Sequence, residues 1–148
     1  MMRDYEHAIR HLNQLLADLF VLHTKLHRYR WYIKGTNFFT LTDFFYDFCK
    51  EVAQDIDEIG VFILTIDGQP FATMETFLEH ATLKEAQADD TETEIIDQLI
   101  ADLQMLDKQI TSFVPSEQEK SVVHLFYQLR TKYNKRKWML QTYQTYHH

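Results

Sequence analysis

Chain-breaking residues are so scarce in this chain that helices are nearly the only regular structure it can build. Three glycines and two prolines serve 148 residues. A β-sandwich or barrel of this length needs many more turn residues, which disfavours an all-β fold. The breakers also stand far apart, at Gly35, at Gly68 and Pro70, and at Pro115. The stretches between them carry apolar residues at helical spacing. The first runs from about Asp4 to Ile33, with Ile9, Leu12, Leu16, Leu19, Phe20 and Leu26 on its stripe and Gly35 as its stop. The second runs from about Leu41 to Ile66, with Thr40 and Asp43 as a cap pair and Phe44, Phe48, Val52, Ile56, Ile59 and Ile63 as its stripe. The third runs from about Thr91 to Phe113, opened by Thr91 and Glu94 and striped by Ile95, Leu99, Leu103, Leu106 and Ile110. The fourth runs from about Glu117 to Tyr146, announced by Pro115, Ser116 and Glu119. Gly60 falls inside the second helix, where it costs about 1 kcal/mol relative to Ala, and close packing would explain it.

Connection lengths then limit the topology. Short links join the first helix to the second and the third to the fourth, so each pair is antiparallel. The link from Asp67 to Asp90 is long, and Thr73 followed by Glu75 to Ala81 reads as a short helix within it. Two helical hairpins joined by a long middle crossover are the connectivity of ferritin-like bundles. The expected fold is therefore all-α, a single domain over residues 1–148.

Composition excludes several classes. One cysteine, Cys49, rules out an intrachain disulfide framework and a multi-cysteine zinc site, and suits a reducing compartment. No secretory leader is visible at the start, and no apolar run reaches the roughly 18 residues a membrane span needs. The net charge of −7 argues against a uniform electrostatic grip on DNA.

Chemistry-bearing constellations are few. A di-iron site inside the bundle needs Glu-x-x-His pairs, and no Glu here has a His three residues later. His7 and His11 share a helix face, as do His23 and His27; that spacing can chelate a transition metal, although a polar or half-buried face is the plainer reading. Arg30 continues the face of His23 and His27. Asp55 and Asp57 point apart, and Cys49 reads as a buried thiol among Phe45, Phe48 and Val52. Basic residues cluster at Lys25, Arg28, Arg30 and Lys34 and again at Arg130, Lys132, Lys135, Arg136 and Lys137. Helix-dipole placement accounts for part of this, and nucleic-acid contact is the competing reading. Asp89, Asp90, Glu92, Glu94, Asp97, Asp102 and Asp107 make the third helix's outer face acidic.

The stretch from Leu26 to Leu41, LHRYRWYIKGTNFFTL, resembles the signature region of the Dps family, the mini-ferritins. So do Asp57-Glu58-Ile59, Ile63 to Pro70, the crossover segments Phe71 to Met74 and Phe77 to Ala81, and Lys137-Trp138-Met139. The resemblance runs in order along nearly the whole chain. It implies a hollow twelve-subunit shell in the bacterial cytoplasm that oxidises Fe(II), usually with peroxide, and stores ferric mineral, with no organic cofactor. The family's iron site lies between two subunits. One supplies a His before the Trp and a His early in helix two; the other supplies an Asp and a Glu four residues on.

Carried onto this sequence, those positions hold Arg30, Thr42, Asp57 and Val61. Only Asp57 keeps a ligand, and Arg30 is a fixed cation where a neutral imidazole is wanted. The expectation is a degenerate ferroxidase, with Arg30 paired to Asp57 of a neighbouring subunit. A shifted metal site built from His27, Asp43, Asp57 and Glu58 is the alternative. Family pores are acidic near the start of the last helix, where Glu117, Glu119 and His124 stand here, with Lys120 intruding. Asp47, Glu51 and Glu58 are candidates for nucleating mineral. A Lys-rich tail for DNA coating is not evident, so DNA binding is expected to be weak. The competing function is a non-enzymatic shell that binds DNA, another metal or a protein.

Overall fold

A computed structural model describes residues 5–86 and 91–147. Its helices are α1 (Glu6–Tyr32), α2 (Phe38–Thr65), the short α3 (Met74–His80), α4 (Glu92–Thr111) and α5 (Val123–His147), the last preceded by a 3-10 turn over Gln118–Val122. The architecture is the all-α bundle expected, with α3 inside the crossover. Asp4, Asp89 and Asp90 lie outside the described residues.

Hydrophobic burial sets the helix faces. Leu12, Leu19 and Leu26 of α1, Ile59 and Ile63 of α2, and Ile95, Leu99 and Leu106 of α4 are fully withdrawn from solvent. Each such side chain is worth about 1.5–3 kcal/mol of transfer free energy. The exposed Glu6–Arg10 pair, at 3.4 Å, contributes only a few tenths. Packing of the apolar stripes therefore governs the fold.

Polar ties record the helix directions. On α1 and α2, Thr42 Oγ1 donates to the Arg30 carbonyl at 3.4 Å, and Cys49 Sγ lies 3.9 Å from the His23 carbonyl. On α1 and α4, Lys25 Nζ meets Asp102 at 2.6 Å, and the Gln109 side-chain amide reaches Asp18. Both pairs are antiparallel. On α2 and α5, Asp55 accepts from Lys132 Nζ at 2.6 Å and from the Tyr133 hydroxyl at 2.7 Å, while Arg136 pairs with Glu51 at 3.2 Å. The start of α4 sits beside the end of α1, where Lys34 bridges Thr91. So α2 and α4 run parallel, and the crossover must travel the length of the bundle.

Buried backbone in an irregular crossover needs partners. α1 supplies them in sequence. Asn13 donates to the Gln69 carbonyl at 3.0 Å and accepts from the Phe71 N–H at 2.9 Å. Asp18 accepts from the Thr82 and Leu83 N–H groups at 2.6 and 2.9 Å. Lys25 donates to the Lys84 carbonyl at 2.9 Å. Phe20 and Phe77 stack at 4.0 Å and seat α3 on α1.

Several local expectations need correction. α2 begins at Phe38, with Asn37 as its N-cap residue, so Thr40 and Asp43 do not cap it. The entry is held from outside instead: Glu92 accepts from the Asn37 N–H at 2.9 Å. Gly35 at φ +147° permits this, because a Cβ there would collide with the Glu92 carboxylate. Thr73 and Thr91 do cap α3 and α4. The last helix is broken at its start by the 3-10 turn, which Ser116 and Glu119 organise. Gly60 is not tightly packed, since a Cβ there would meet nothing within 4 Å.

Candidate functional site

Arg30 leaves the last turn of α1 and lays its guanidinium over the Tyr46 ring, 4.9 Å from the centroid. Thr42 sits one helix away with its hydroxyl turned to the Arg30 carbonyl. These two positions are therefore neighbours within one chain. Asp57 and Val61 are not with them. A rise of about 1.5 Å per residue puts position 57 roughly 22 Å from position 42 along α2. Both are exposed and border an apolar groove with Phe71, Met74 and Phe77. One chain therefore does not bring the two pairs of positions together.

The remaining predicted residues scatter. Asp43 is exposed. Glu58 is exposed and shares a shallow depression with His124 and Lys132, far from His27. No ligand set of His27, Asp43, Asp57 and Glu58 forms among the described residues of one chain. Of the mineral candidates, Asp47 and Glu58 are exposed, whereas Glu51 is engaged by Arg136.

Glu119 is fully buried. It accepts from the Ala8 N–H at 2.6 Å, closing the first turn of α1, and from the Ser116 N–H at 3.0 Å. Burial pushes its carboxyl up, but the Ser116 and Ala8 bonds win and hold it below the ordinary carboxylate range. This capping duty takes Glu119 out of any set that lines a pore, while Glu117 and His124 remain exposed.

The basic clusters are largely occupied inside the molecule. Lys25 is buried against Asp102. Arg28 lies over Tyr32 and Arg30 over Tyr46. On α5, Arg130 binds Asp107 at 2.7 Å, Lys132 binds Asp55 and Arg136 binds Glu51. Four residues of the basic runs read from sequence, Lys25, Arg130, Lys132 and Arg136, are thus halves of ion pairs. By the same contacts, Asp102 and Asp107 face partners and do not belong to a wholly outer acidic face.

His23, His27 and Cys49 come together, a convergence that sequence reasoning missed. The i, i+4 spacing of the histidines was visible, but Cys49 could be placed opposite them only once the register of α1 against α2 was known. The two imidazoles meet edge to face, with centroids 4.6 Å apart. One donor atom from each of the three residues lies within 4.8 Å of the others. Burial lowers the His23 pKa, helped by His27. Burial raises the Cys49 thiol, and nearby Arg30 pulls the other way.

Comparison with known proteins gives a consistent result. The ferritin-like domain family matches residues 9–145. The chain is 34% identical over 135 residues to DNA protection during starvation protein 2 of Bacillus anthracis, covering 89% of this chain and 92% of that one. It is 30% identical over 141 residues to general stress protein 20U of Bacillus subtilis, covering 93% and 97%. Among solved structures, Dps from Staphylococcus aureus superposes with a TM-score of 0.85 at 31% identity, over 91% of this chain and 93% of that one. A Dps protein from Bacillus brevis superposes with a TM-score of 0.89 at 26% identity, over 97% and 98%.

Proposed function

The chain belongs to the Dps proteins of the ferritin-like family, and on that premise we propose that it is a stress-protection shell protein that sequesters iron but oxidises it weakly or not at all. Iron here is cargo. The reading rests on one observation above all: a guanidinium stacked on Tyr46 stands at position 30, which the resemblance matches to the family's first imidazole donor. Such a group cannot bind a cation and cannot lose its charge near neutral pH. Thr42 and Val61 offer an alcohol and a hydrocarbon where the family offers an imidazole and a carboxylate. Asp57 alone remains a competent ligand.

Assembly supports the same reading. Trp31 is 63% exposed, Phe39 81% and Val61 52%. Apolar surface of this kind marks a contact with another copy. A homo-oligomer, a twelve-subunit shell in the cytoplasm by family analogy, would cover these residues and bring Arg30 to Asp57 of a second copy. A charge-assisted pair would then stand where coordination stands in relatives. A DNA-coating role has less support, because Arg130, Lys132 and Arg136 of α5 are already paired and the chain carries a net charge of −7.

The deciding experiment adds Fe(II) and stoichiometric peroxide to the purified apo-protein and follows ferric absorbance. Gel filtration with iron and protein detected together follows. Oxidation should run at the protein-free rate, and the triple variant Arg30→His, Thr42→His, Val61→Glu should accelerate it. Fast, saturable oxidation by the unmodified protein would overturn the reading.

A further inference from the structure

We propose that His23, His27 and Cys49 form a metal site within a single chain, suited to a thiophilic divalent cation of the zinc type. The site goes beyond the iron-storage reading and shares no residue with positions 30, 42, 57 and 61. Its donors come from two rigid helices. His23 and His27 stand one turn apart on α1, and the antiparallel register brings Cys49 of α2 against the His23 carbonyl at 3.9 Å.

The geometry is close to what an ion requires. All three donor atoms lie within 4.8 Å of one another. Tetrahedral zinc with bonds of about 2.1 Å to nitrogen and 2.3 Å to sulfur separates its ligands by roughly 3.5 Å. Closure therefore takes shifts on the order of 1 Å, within reach of rotations about the side-chain torsions.

A second observation points to a ligand. His27 Nδ1 is shut off from solvent and has no hydrogen-bond partner among the described residues. A buried polar atom left unpaired is costly. The plain alternative, an imidazole seated as core, would have given that nitrogen a carbonyl or hydroxyl. Instead its ring neighbours are His23 and the Trp31 indole, 4.6 and 5.1 Å away between centroids.

Donor chemistry selects the cation class. Two imidazoles and a thiolate are softer than the oxygen sets that hold magnesium or calcium, and they suit zinc, cobalt or copper. Three protein ligands leave a fourth position for water or another donor. Arg30 is the nearby cation that opposes a divalent ion. Its charge also favours the Cys49 thiolate, which in turn offsets part of the charge of the ion.

The test uses the full-length protein, stripped with a chelator and titrated with Co(II). We expect a thiolate-to-cobalt charge-transfer band that saturates at one ion per chain and is displaced by Zn(II). Cys49→Ser should abolish the band. His27→Ala should weaken Zn(II) binding by about tenfold or more in calorimetry, as the loss of one of three donors implies. Circular dichroism checks that both variants remain helical, and Cys49→Ala serves if Cys49→Ser does not fold. No charge-transfer band, or a band that survives loss of the thiol, would overturn the proposal. So would an ion lost with Asp57→Asn but retained in Cys49→Ser, since that ion sits between subunits. A failed iron-oxidation expectation leaves these readouts unchanged.

Discussion

Replacing Asp18 with alanine should cost the fold about 2–4 kcal/mol, and replacing it with asparagine should cost far less. Asp18 is fully buried on α1. It accepts from the Thr82 N–H at 2.6 Å, the Leu83 N–H at 2.9 Å, the Thr82 hydroxyl at 2.8 Å and the Gln109 amide. Alanine removes every acceptor. Leu83 is buried, so its N–H has nowhere else to turn, and an orphaned donor of that kind costs about 1–3 kcal/mol. Thr82 is at the surface, where water replaces part of its loss, and its hydroxyl already takes the Gln109 amide at 2.8 Å. A cavity adds to the total. Asparagine keeps one carbonyl for both backbone donors. Its amide then faces a hydroxyl and a Gln side chain that can each reverse roles, which limits the cost to about 1 kcal/mol.

The two variants also separate by pH. Burial raises the Asp18 carboxyl, against the lowering by the Leu83 and Thr82 bonds. The native state thus holds this proton more tightly than the unfolded chain does. The associated stability is fully present below the ordinary Asp value of about 3.9 and is lost as pH rises through the raised native value. The Asp18→Asn variant has no such proton, so that part of the slope should vanish. Urea unfolding at fixed protein concentration, followed by circular dichroism from about pH 4 to neutrality, measures both effects. An alanine variant within about 1 kcal/mol of wild type, or an asparagine variant less stable than the alanine one, would refute this account.

Gly35→Ala should lower stability by about 2 kcal/mol in thermal unfolding, because its φ is +147° and the new Cβ displaces the Glu92 carboxylate from the Asn37 N–H; a neutral result would deny that close approach. Gly60→Ala should raise stability by about 0.5–1 kcal/mol, since helix propensity improves and the Cβ meets open space. A loss there would mean that another copy fills that face. Glu119→Gln should remove part of the acid sensitivity. The native carboxyl lies below its ordinary value despite burial, so its stabilisation holds above pH of about 4.3 and is lost as pH falls through the lowered value. Unchanged acid unfolding in the Gln variant would argue against the capping role.

The helices were legible because burial follows the 3.6-residue period, and that period is written in residue types. Ile95, Leu99, Leu103, Leu106 and Ile110 were read as one stripe and all five are buried. Thr91 was legible as a cap because a cap is a local bond between neighbours in sequence. The start of α2 was not, because Glu92 on a distant helix holds it. The 3-10 turn before α5 escaped for a related reason: Glu119 reaches across to Ala8 and anchors that segment to the start of α1.

Charge was harder to read than hydrophobicity. Lys25, Arg130, Lys132 and Arg136 looked like basic patches in a linear chain, and each proves to be half of an ion pair with a carboxylate far away in sequence. The identity of a side chain sets which chemistry it can do. Its partner is set by helix register, which depends on the packing of the whole bundle.

By itself the sequence determined an all-α hairpin pair with a long crossover, and that Arg, Thr and Val stand at positions 30, 42 and 61. Those features reside in local period, in the spacing of breakers and in residue type. Only the tertiary structure decided that Glu119 faces inward, that Gly60 is uncrowded and that Cys49 stands against His23 and His27. Each of these depends on a contact between helices, and one residue of shift along α1 would turn a different side chain toward Cys49.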